Sequence, residues 1–208
     1  YVNLFMSGSA AFTVGGTAVH FAQETRYPWD GTIKLTVTPD RPSDFTLKVR
    51  VPGWVLGRPV PSDLYYYFNA ATPGIALSVN GERAMLVLDR GFAIISRTWQ
   101  PGDEVVLHLP LPIRRVVSHP LVRGNAGRVA LERGPIVYCA EEADNDVDVF
   151  DIVIPDHINF VAEQRPDLLN GITVIHDPEQ DITFIPYYAW SHRGVGKMRV
   201  WLKRAEGM

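Results

Sequence analysis

The sequence predicts an all-β fold, built as two tandem antiparallel β-sandwich domains of jelly-roll type, residues 1–117 and 118–208. Three observations predict it. Apolar residues recur with a period of two, turn signals punctuate the chain at short intervals, and no stretch sustains the 3.6-residue period of an amphipathic helix.

In the first half, Ile33, Leu35 and Val37 alternate with Thr32, Lys34, Thr36 and Thr38, and Phe45, Leu47, Val49 and Val51 alternate with Thr46, Lys48 and Arg50. Each run reads as a half-buried strand with one wet face. Ile75, Leu77 and Val79 repeat the pattern and lead into Asn80-Gly81. That dipeptide accepts positive φ at both central positions of a type I′ hairpin turn. The return strand is expected over Ala84–Leu88. Phe92–Arg97 is the next strand, and Gln100-Pro101-Gly102-Asp103 fits a type II turn, with proline second and glycine third. Val105, Leu107 and Leu109 close the series, which amounts to about seven short strands at sandwich-like spacing.

Residues 113–128 read as a junction, strand-like over Ile113–Val117 and then interrupted by His119-Pro120 and Gly124-Asn125-Ala126-Gly127. A second series of strands is expected over Arg128–Arg133, Ile136–Ala140, Val149–Ile154, Gly171–Ile175, Ile182–Ile185 and Lys197–Leu202. Asn159–Leu169 is the one segment read as a short helix, limited by Pro166. The two halves share no sequence repeat.

The 208 residues are 46% hydrophobic and 21% charged, an ordinary globular balance. A chain of this length buries roughly 70% of its unfolded surface and needs no disulfide or structural metal to fold. Net charge is −3, with no basic stripe, which argues against nucleic-acid binding. No apolar run approaches the ~20 residues of a spanning helix. The single cysteine leaves the redox compartment open, and localisation with it. The chain starts Tyr1-Val2-Asn3-Leu4-Phe5, without initiator methionine or signal peptide, and is expected to be a piece of something longer.

Candidate chemistry is sparse. Cys139 lies in the apolar run Ile136–Ala140 with Glu141 and Glu142 behind it, a setting for a small buried hydrophobe and not for a thiolate. Asp144-Asn145-Asp146-Val147-Asp148 spaces oxygens as a calcium loop begins. The glycine and bidentate glutamate that such a loop needs are replaced by Val149 and Pro155, so a solvated acidic loop is expected and no metal ligand is assigned. Glu24, Asp30, Glu132, Glu141, Asp151 and Asp156 supply carboxylates, but no pair is singled out for glycoside chemistry. The six histidines are scattered, and no catalytic residue is assigned.

The aromatic clusters carry more information: Tyr27-Pro28-Trp29-Asp30-Gly31, Tyr65-Tyr66-Tyr67-Phe68 and Tyr187-Tyr188-Ala189-Trp190. Trp29, Tyr66 and Trp190 are the carbohydrate-binding candidates, as rings on which a sugar face can stack. Burial in a core or interface is the competing role for each ring. Alternation along Tyr65–Phe68 requires some of its rings to face outward.

Gln23-Glu24-Thr25-Arg26-Tyr27-Pro28-Trp29-Asp30-Gly31, Arg50-Val51-Pro52-Gly53-Trp54, Val79-Asn80-Gly81-Glu82, Trp99-Gln100-Pro101-Gly102-Asp103, Arg133-Gly134-Pro135-Ile136-Val137-Tyr138, Pro186-Tyr187-Tyr188-Ala189-Trp190 and Met198-Arg199-Val200-Trp201 follow one another in that order. This series resembles the C-terminal part of the β-L-arabinofuranosidase-like glycoside hydrolases, family 127. The resemblance implies an (α/α)6 barrel followed by two β-sandwiches, the barrel supplying a cysteine nucleophile, an acid/base glutamate and a zinc held by cysteines and a glutamate. All of these are expected upstream of Tyr1, so no cofactor is expected in this chain. Cys139 matches the family's Gly-Pro-Ile-Val-Tyr-Cys strand and not its catalytic cysteines. The chain is thereby expected to be a non-catalytic accessory region whose partners are its own N-terminal catalytic domain and a second copy in a homodimer. Binding of carbohydrate through the exposed rings is the alternative.

Overall fold

The computed structural model describes residues 1–68 and 74–205. In chain order the strands are β1 (Gly8–Val14), β2 (Thr17–Thr25), β3 (Thr32–Pro39), β4 (Ser43–Arg50), β5 (Tyr65–Phe68), β6 (Ala76–Val79), β7 (Glu82–Arg83), β8 (Leu88–Asp89), β9 (Phe92–Trp99) and β10 (Asp103–His108). They continue with β11 (Ile113–Ser118), β12 (Arg128–Arg133), β13 (Ile136–Glu141), β14 (Val153–Pro155), β15 (Val161–Arg165), β16 (Ile172–Asp177), β17 (Ile182–Pro186), β18 (Met198–Arg199) and β19 (Leu202–Ala205). The only helical elements among the described residues are three-residue 3₁₀ turns, so the fold is all-β.

The chain forms two units. The first comprises Tyr1–Leu56 with Thr72–Leu111, the second Gly57–Ala71 with Pro112–Met208. Strand β11, which spans the division expected at residue 117, lies wholly in the second unit, as does β5.

In the first unit an antiparallel sheet of order β1-β2-β3-β10-β6-β7 and a smaller one of order β4-β9-β8 share a single core. Period-two patterning explains the register. Ile33, Leu35 and Val37 are buried while Lys34, Thr36 and Thr38 are half-exposed, and Leu47 and Val49 do the same from the opposite sheet. Each such side chain contributes about 1.5–3 kcal/mol on burial. Trp99 is fully buried because its indole N–H finds an acceptor, the Phe45 carbonyl at 2.9 Å, while its ring stacks on Phe45. The turns form as their residues dictate. Asn80 and Gly81 both have positive φ, and Asp103 N donates to Gln100 O across Gly102.

One expected strand is divided. In place of a return strand over Ala84–Leu88, the segment leaves β7 beside β6 and reaches β8 beside β9. Ala84 N bonds Leu77 O and Ile94 N bonds Val87 O, so the segment crosses from one sheet to the other.

In the second unit β12 is the hub. Its Ala130–Arg133 stretch pairs with β11, Leu131–Arg133 with β13, and Arg128–Val129 with β19. From β13 the order runs β17-β16-β15, and β5 extends the sheet beyond β11. Strands β13, β16 and β17 are buried on both faces. Cys139, Ile172, Val174 and Ile185 form a core on one face, and Ala140 and Phe184 are opposed on the other.

Three expectations change here. Asn159–Leu169 holds no helix; Val161–Arg165 instead pairs antiparallel with β16 as β15, the edge strand on that side of the sheet. Within Val149–Ile154 only the last two residues reach β14, since Asp148 caps a turn by accepting from Phe150 N. Lys197–Leu202 splits into β18 and β19, which pair with different strands.

Candidate functional site

The Tyr27–Gly31 segment closes the β2–β3 hairpin and is held from within. Thr25 Oγ1 donates to Thr32 O and accepts from Tyr27 N, while Trp29 N and Asp30 N both donate to Arg26 O. Asp30 Oδ1 accepts from Thr32 N at 2.7 Å, and this bond holds its carboxyl below the usual carboxylate range. Tyr27 turns inward, its ring edge-on to Phe5 at 5.3 Å and its hydroxyl accepting from Trp54 Nε1 at 3.2 Å. Burial raises its phenol pKa. Gly31 lies against the Leu109 carbonyl, where an added Cβ would stand 1.8 Å from the oxygen. Trp29, at the tip, is half-buried.

Tyr66 sits on β5, where Tyr65, Tyr67 and Phe68 are half-buried and Tyr66 alone is exposed. The other three rings are engaged. Tyr65 stacks on Trp201, Tyr67 donates to Glu132 at 2.8 Å beneath the Arg114 guanidinium, and Phe68 lies under Arg204. Burial raises the pKa of both Tyr67 and Glu132.

Trp190 follows a 3₁₀ turn, Tyr187–Ala189, on the chain leaving β17. Side chains at i and i+3 of such a turn eclipse. Accordingly, the Tyr187 and Trp190 rings lie near-parallel, 20° between planes and 6.5 Å between centroids. Ala189 is the buried pivot, while Tyr187, Tyr188 and Trp190 are 45%, 55% and 38% exposed. The chain beyond is clamped by the carboxylates that end β13 and follow it. Ser191 N donates to Glu141 Oε1, Lys197 N to Glu142 Oε2, and Arg193 donates to both Glu141 and Asp144. Asp144 and Glu141 hold the Arg193 guanidinium more firmly protonated than usual.

Of the three sequence candidates, Trp190 pairs with a second exposed ring, Tyr187, and Trp29 belongs to the other unit. Tyr187 was missed as its partner. Its signal is the i, i+3 spacing, readable only once the turn type is known. The clamping carboxylates had no local signal, since they lie about fifty residues upstream of the amides and guanidinium they bind.

The remaining chemistry has structural partners. Cys139 is fully buried, and burial together with Glu141 and Asp144 pushes its thiol up to about 12. Asp144 faces Arg193 and Asp148 faces Lys197. Among the carboxylates, Glu24 stands opposite Lys34, Asp151 reaches Lys203 and Asp156 is bidentate to Arg204. No group of three or more His, Cys, Asp or Glu among the described residues is placed to hold a metal, and the lone, protonated Cys139 does not fit a zinc site. A polar hollow of about 430 Å³ opens between Glu142–Val147 and Gln180–Thr183.

Comparison with known proteins covers nearly the whole chain. A family model described as Beta-L-arabinofuranosidase, GH127 middle domain, matches residues 1–111, and one described as Glycoside hydrolase family 127 C-terminal domain matches residues 113–203. A non-reducing end beta-L-arabinofuranosidase of Bifidobacterium longum subsp. longum is 29% identical over 96% of this chain and 32% of its own. Among solved structures, a GH127 beta-arabinofuranosidase superposes with a TM-score of 0.90 at 41% identity, over 99% of this chain and 34% of that one. The GH127 beta-L-arabinofuranosidase of Geobacillus stearothermophilus T6 gives 0.83 at 38% identity, over 97% and 33%. The chain therefore spans about a third of the length of these relatives.

Proposed function

The chain belongs to glycoside hydrolase family 127, and from that premise we propose that it is the non-catalytic β-sandwich region of a β-L-arabinofuranosidase-like enzyme acting on plant-type glycans. Its role is to support a catalytic (α/α)6 barrel lying in the two thirds of the relatives that it does not span, and to contribute to homodimer contacts. The zinc and the cysteine nucleophile implied by the resemblance belong to that barrel in this reading.

The observation that carries the proposal is the pairing of coverage with chemistry. Two non-catalytic-looking sandwiches take up the whole match, and the reactive-looking groups inside them serve the fold: the thiol is buried and protonated, and the carboxylates face cations or backbone donors. Most glycoside hydrolases need two carboxyl groups facing one bond; the resemblance implies a cysteine in place of one of them, and the buried Cys139 holds its proton.

The test is turnover of a chromogenic β-L-arabinofuranoside by the purified 208-residue chain. We expect none above the uncatalysed rate, including with added zinc. Turnover that tracks the pure chain and disappears when one Asp or Glu is changed to its amide would overturn the reading.

The alternative, carbohydrate binding through the exposed rings Trp29, Tyr66 and Trp190, is favoured at one of the three by the Tyr187–Trp190 stack.

A further inference from the structure

We propose that the Tyr187–Trp190 ring pair is a stacking platform for a neutral sugar ring, making the turn after β17 the carbohydrate-binding site of this chain. The inference rests on the glycan-directed reading above and assigns the ligand to one surface.

Several large rings elsewhere in the molecule are spent on packing: Trp99, Tyr138 and Phe184 are fully buried, and Tyr27 and Tyr67 are tied by hydroxyl hydrogen bonds. The turn at 187–190 inverts that use. A small residue, Ala189, presses it onto the unit, and three large rings point to solvent. Near-parallel planes mean that a flat ligand lying on one ring lies almost parallel to the other as well.

The pair is also pre-organised. The 3₁₀ turn fixes the i, i+3 relation. The following residues are held by the Glu141 carboxylate, only 4% exposed in its side chain, through Ser191 N and Arg193, and by Glu142 through Lys197 N. Fixing rings before a ligand arrives removes the ordering entropy that a mobile loop would lose on binding.

The rim selects the ligand class. Trp190 is followed by the exposed polar residues Ser191 and His192, and the only exposed aliphatic side chain over residues 187–197 is Val195. Polar groups around aromatic faces suit a molecule with C–H faces and a hydroxylated edge. Arg193, three residues beyond Trp190, is paired with Glu141 and Asp144 and so is not free for an anionic sugar.

The experiment is titration of the 208-residue chain with L-arabinose, arabinofuranose-containing oligosaccharides and xylo-oligosaccharides, followed by calorimetry and by tryptophan fluorescence. We expect saturable binding of at least one of these neutral ligands. Trp190→Ala and Tyr187→Ala should each weaken it about tenfold or more, Trp190→Phe should retain it within a few-fold, and Trp29→Ala and Tyr66→Ala should leave it unchanged. Thermal melts of each variant separate loss of binding from loss of fold, and Trp190→Phe carries the test if Trp190→Ala does not fold. The absence of binding at millimolar ligand overturns the proposal. So does binding that survives Trp190→Ala in a folded chain, or that is lost equally with Trp29→Ala. Hydrogen-exchange protection of 187–190 in a longer protein containing the barrel, together with no sugar binding, would reassign the rings to a domain contact and also overturn it. None of these outcomes touches the accessory reading, which fails only on turnover by the chain itself.

Discussion

Two segments of this chain look alike on paper, Tyr27-Pro28-Trp29-Asp30-Gly31 in the first unit and Tyr187-Tyr188-Ala189-Trp190 in the second. Both place aromatic residues in a turn after a strand. The first draws Tyr27 into the core and lays Gly31 on the Leu109 backbone, while the second keeps its one small residue inside and its rings out. Their anchors differ in the same sense. The first is held by its own neighbours, Thr25, Arg26 and Thr32; the second is clamped by Glu141 at the end of β13 and by Glu142 just after it. A turn that anchors itself can bury its rings. A turn pinned from beneath leaves them for something else.

The sharpest break of the first segment is Gly31→Ala. Gly31 does not need a positive φ, so space alone demands glycine there. A Cβ 1.8 Å from a backbone oxygen cannot be relieved by rotating a side chain. The β3–β10 end must separate or the hairpin must tilt, and the Leu109 N to Gly31 O bond goes with it. We expect a loss of about 3 kcal/mol or more, read as a lowered denaturant midpoint. A midpoint within about 0.5 kcal/mol of the parent chain would mean that the close approach does not exist.

The corresponding break of the second segment is Glu141→Gln. The amide can still accept from Ser191 N but no longer balances Arg193, whose other partner Asp144 remains. Removing one member of a buried ion pair costs about 3–5 kcal/mol, and the partial exposure of Arg193 brings the expectation down to about 2 kcal/mol. The more specific readout is hydrogen exchange. Amides over 191–197 should speed up while those of β3 and β10 do not. Uniform change across both units would show that Glu141 is a general stability element and not a clamp.

The sequence carried most of the strand framework because that framework is local. Ile33, Leu35 and Val37 need only a period of two to declare a buried face, and Asn80-Gly81 needs only its own backbone freedom to declare a turn. What escaped was decided at a distance. Ala84–Leu88 alternates like a strand, yet it changes sheets because β6 and β9 each claim one end. Val161–Arg165 has the polar character of a helix surface and becomes a strand because β16 lies beside it. The candidate site divides the same way. Trp190 was visible as a ring in a turn, but its pairing with Tyr187 depends on a 3₁₀ geometry that Pro186 and Ala189 do not specify alone. Its anchoring by Glu141 joins residues 50 apart in sequence.

The smallest expected effect separates the two segments most cleanly, because the same change is made in both. Tyr27→Phe removes a hydroxyl that accepts from Trp54 Nε1 in a half-buried site, and we expect it to cost about 1 kcal/mol. Tyr187→Phe removes a hydroxyl from an exposed ring and should stay within about 0.5 kcal/mol of zero. Alkaline unfolding adds a check of sign. Burial raises the Tyr27 pKa above its ordinary value of 10.0, so the folded state holds the phenol proton more tightly than the unfolded chain. That contribution is fully present below pH 10 and is lost as pH rises through the folded-state pKa. The stability gap between the parent chain and Tyr27→Phe should therefore narrow above pH 10. A gap that stayed constant or widened would place the Tyr27 ring in solvent, and the contrast between an inward and an outward turn would fail at the first segment.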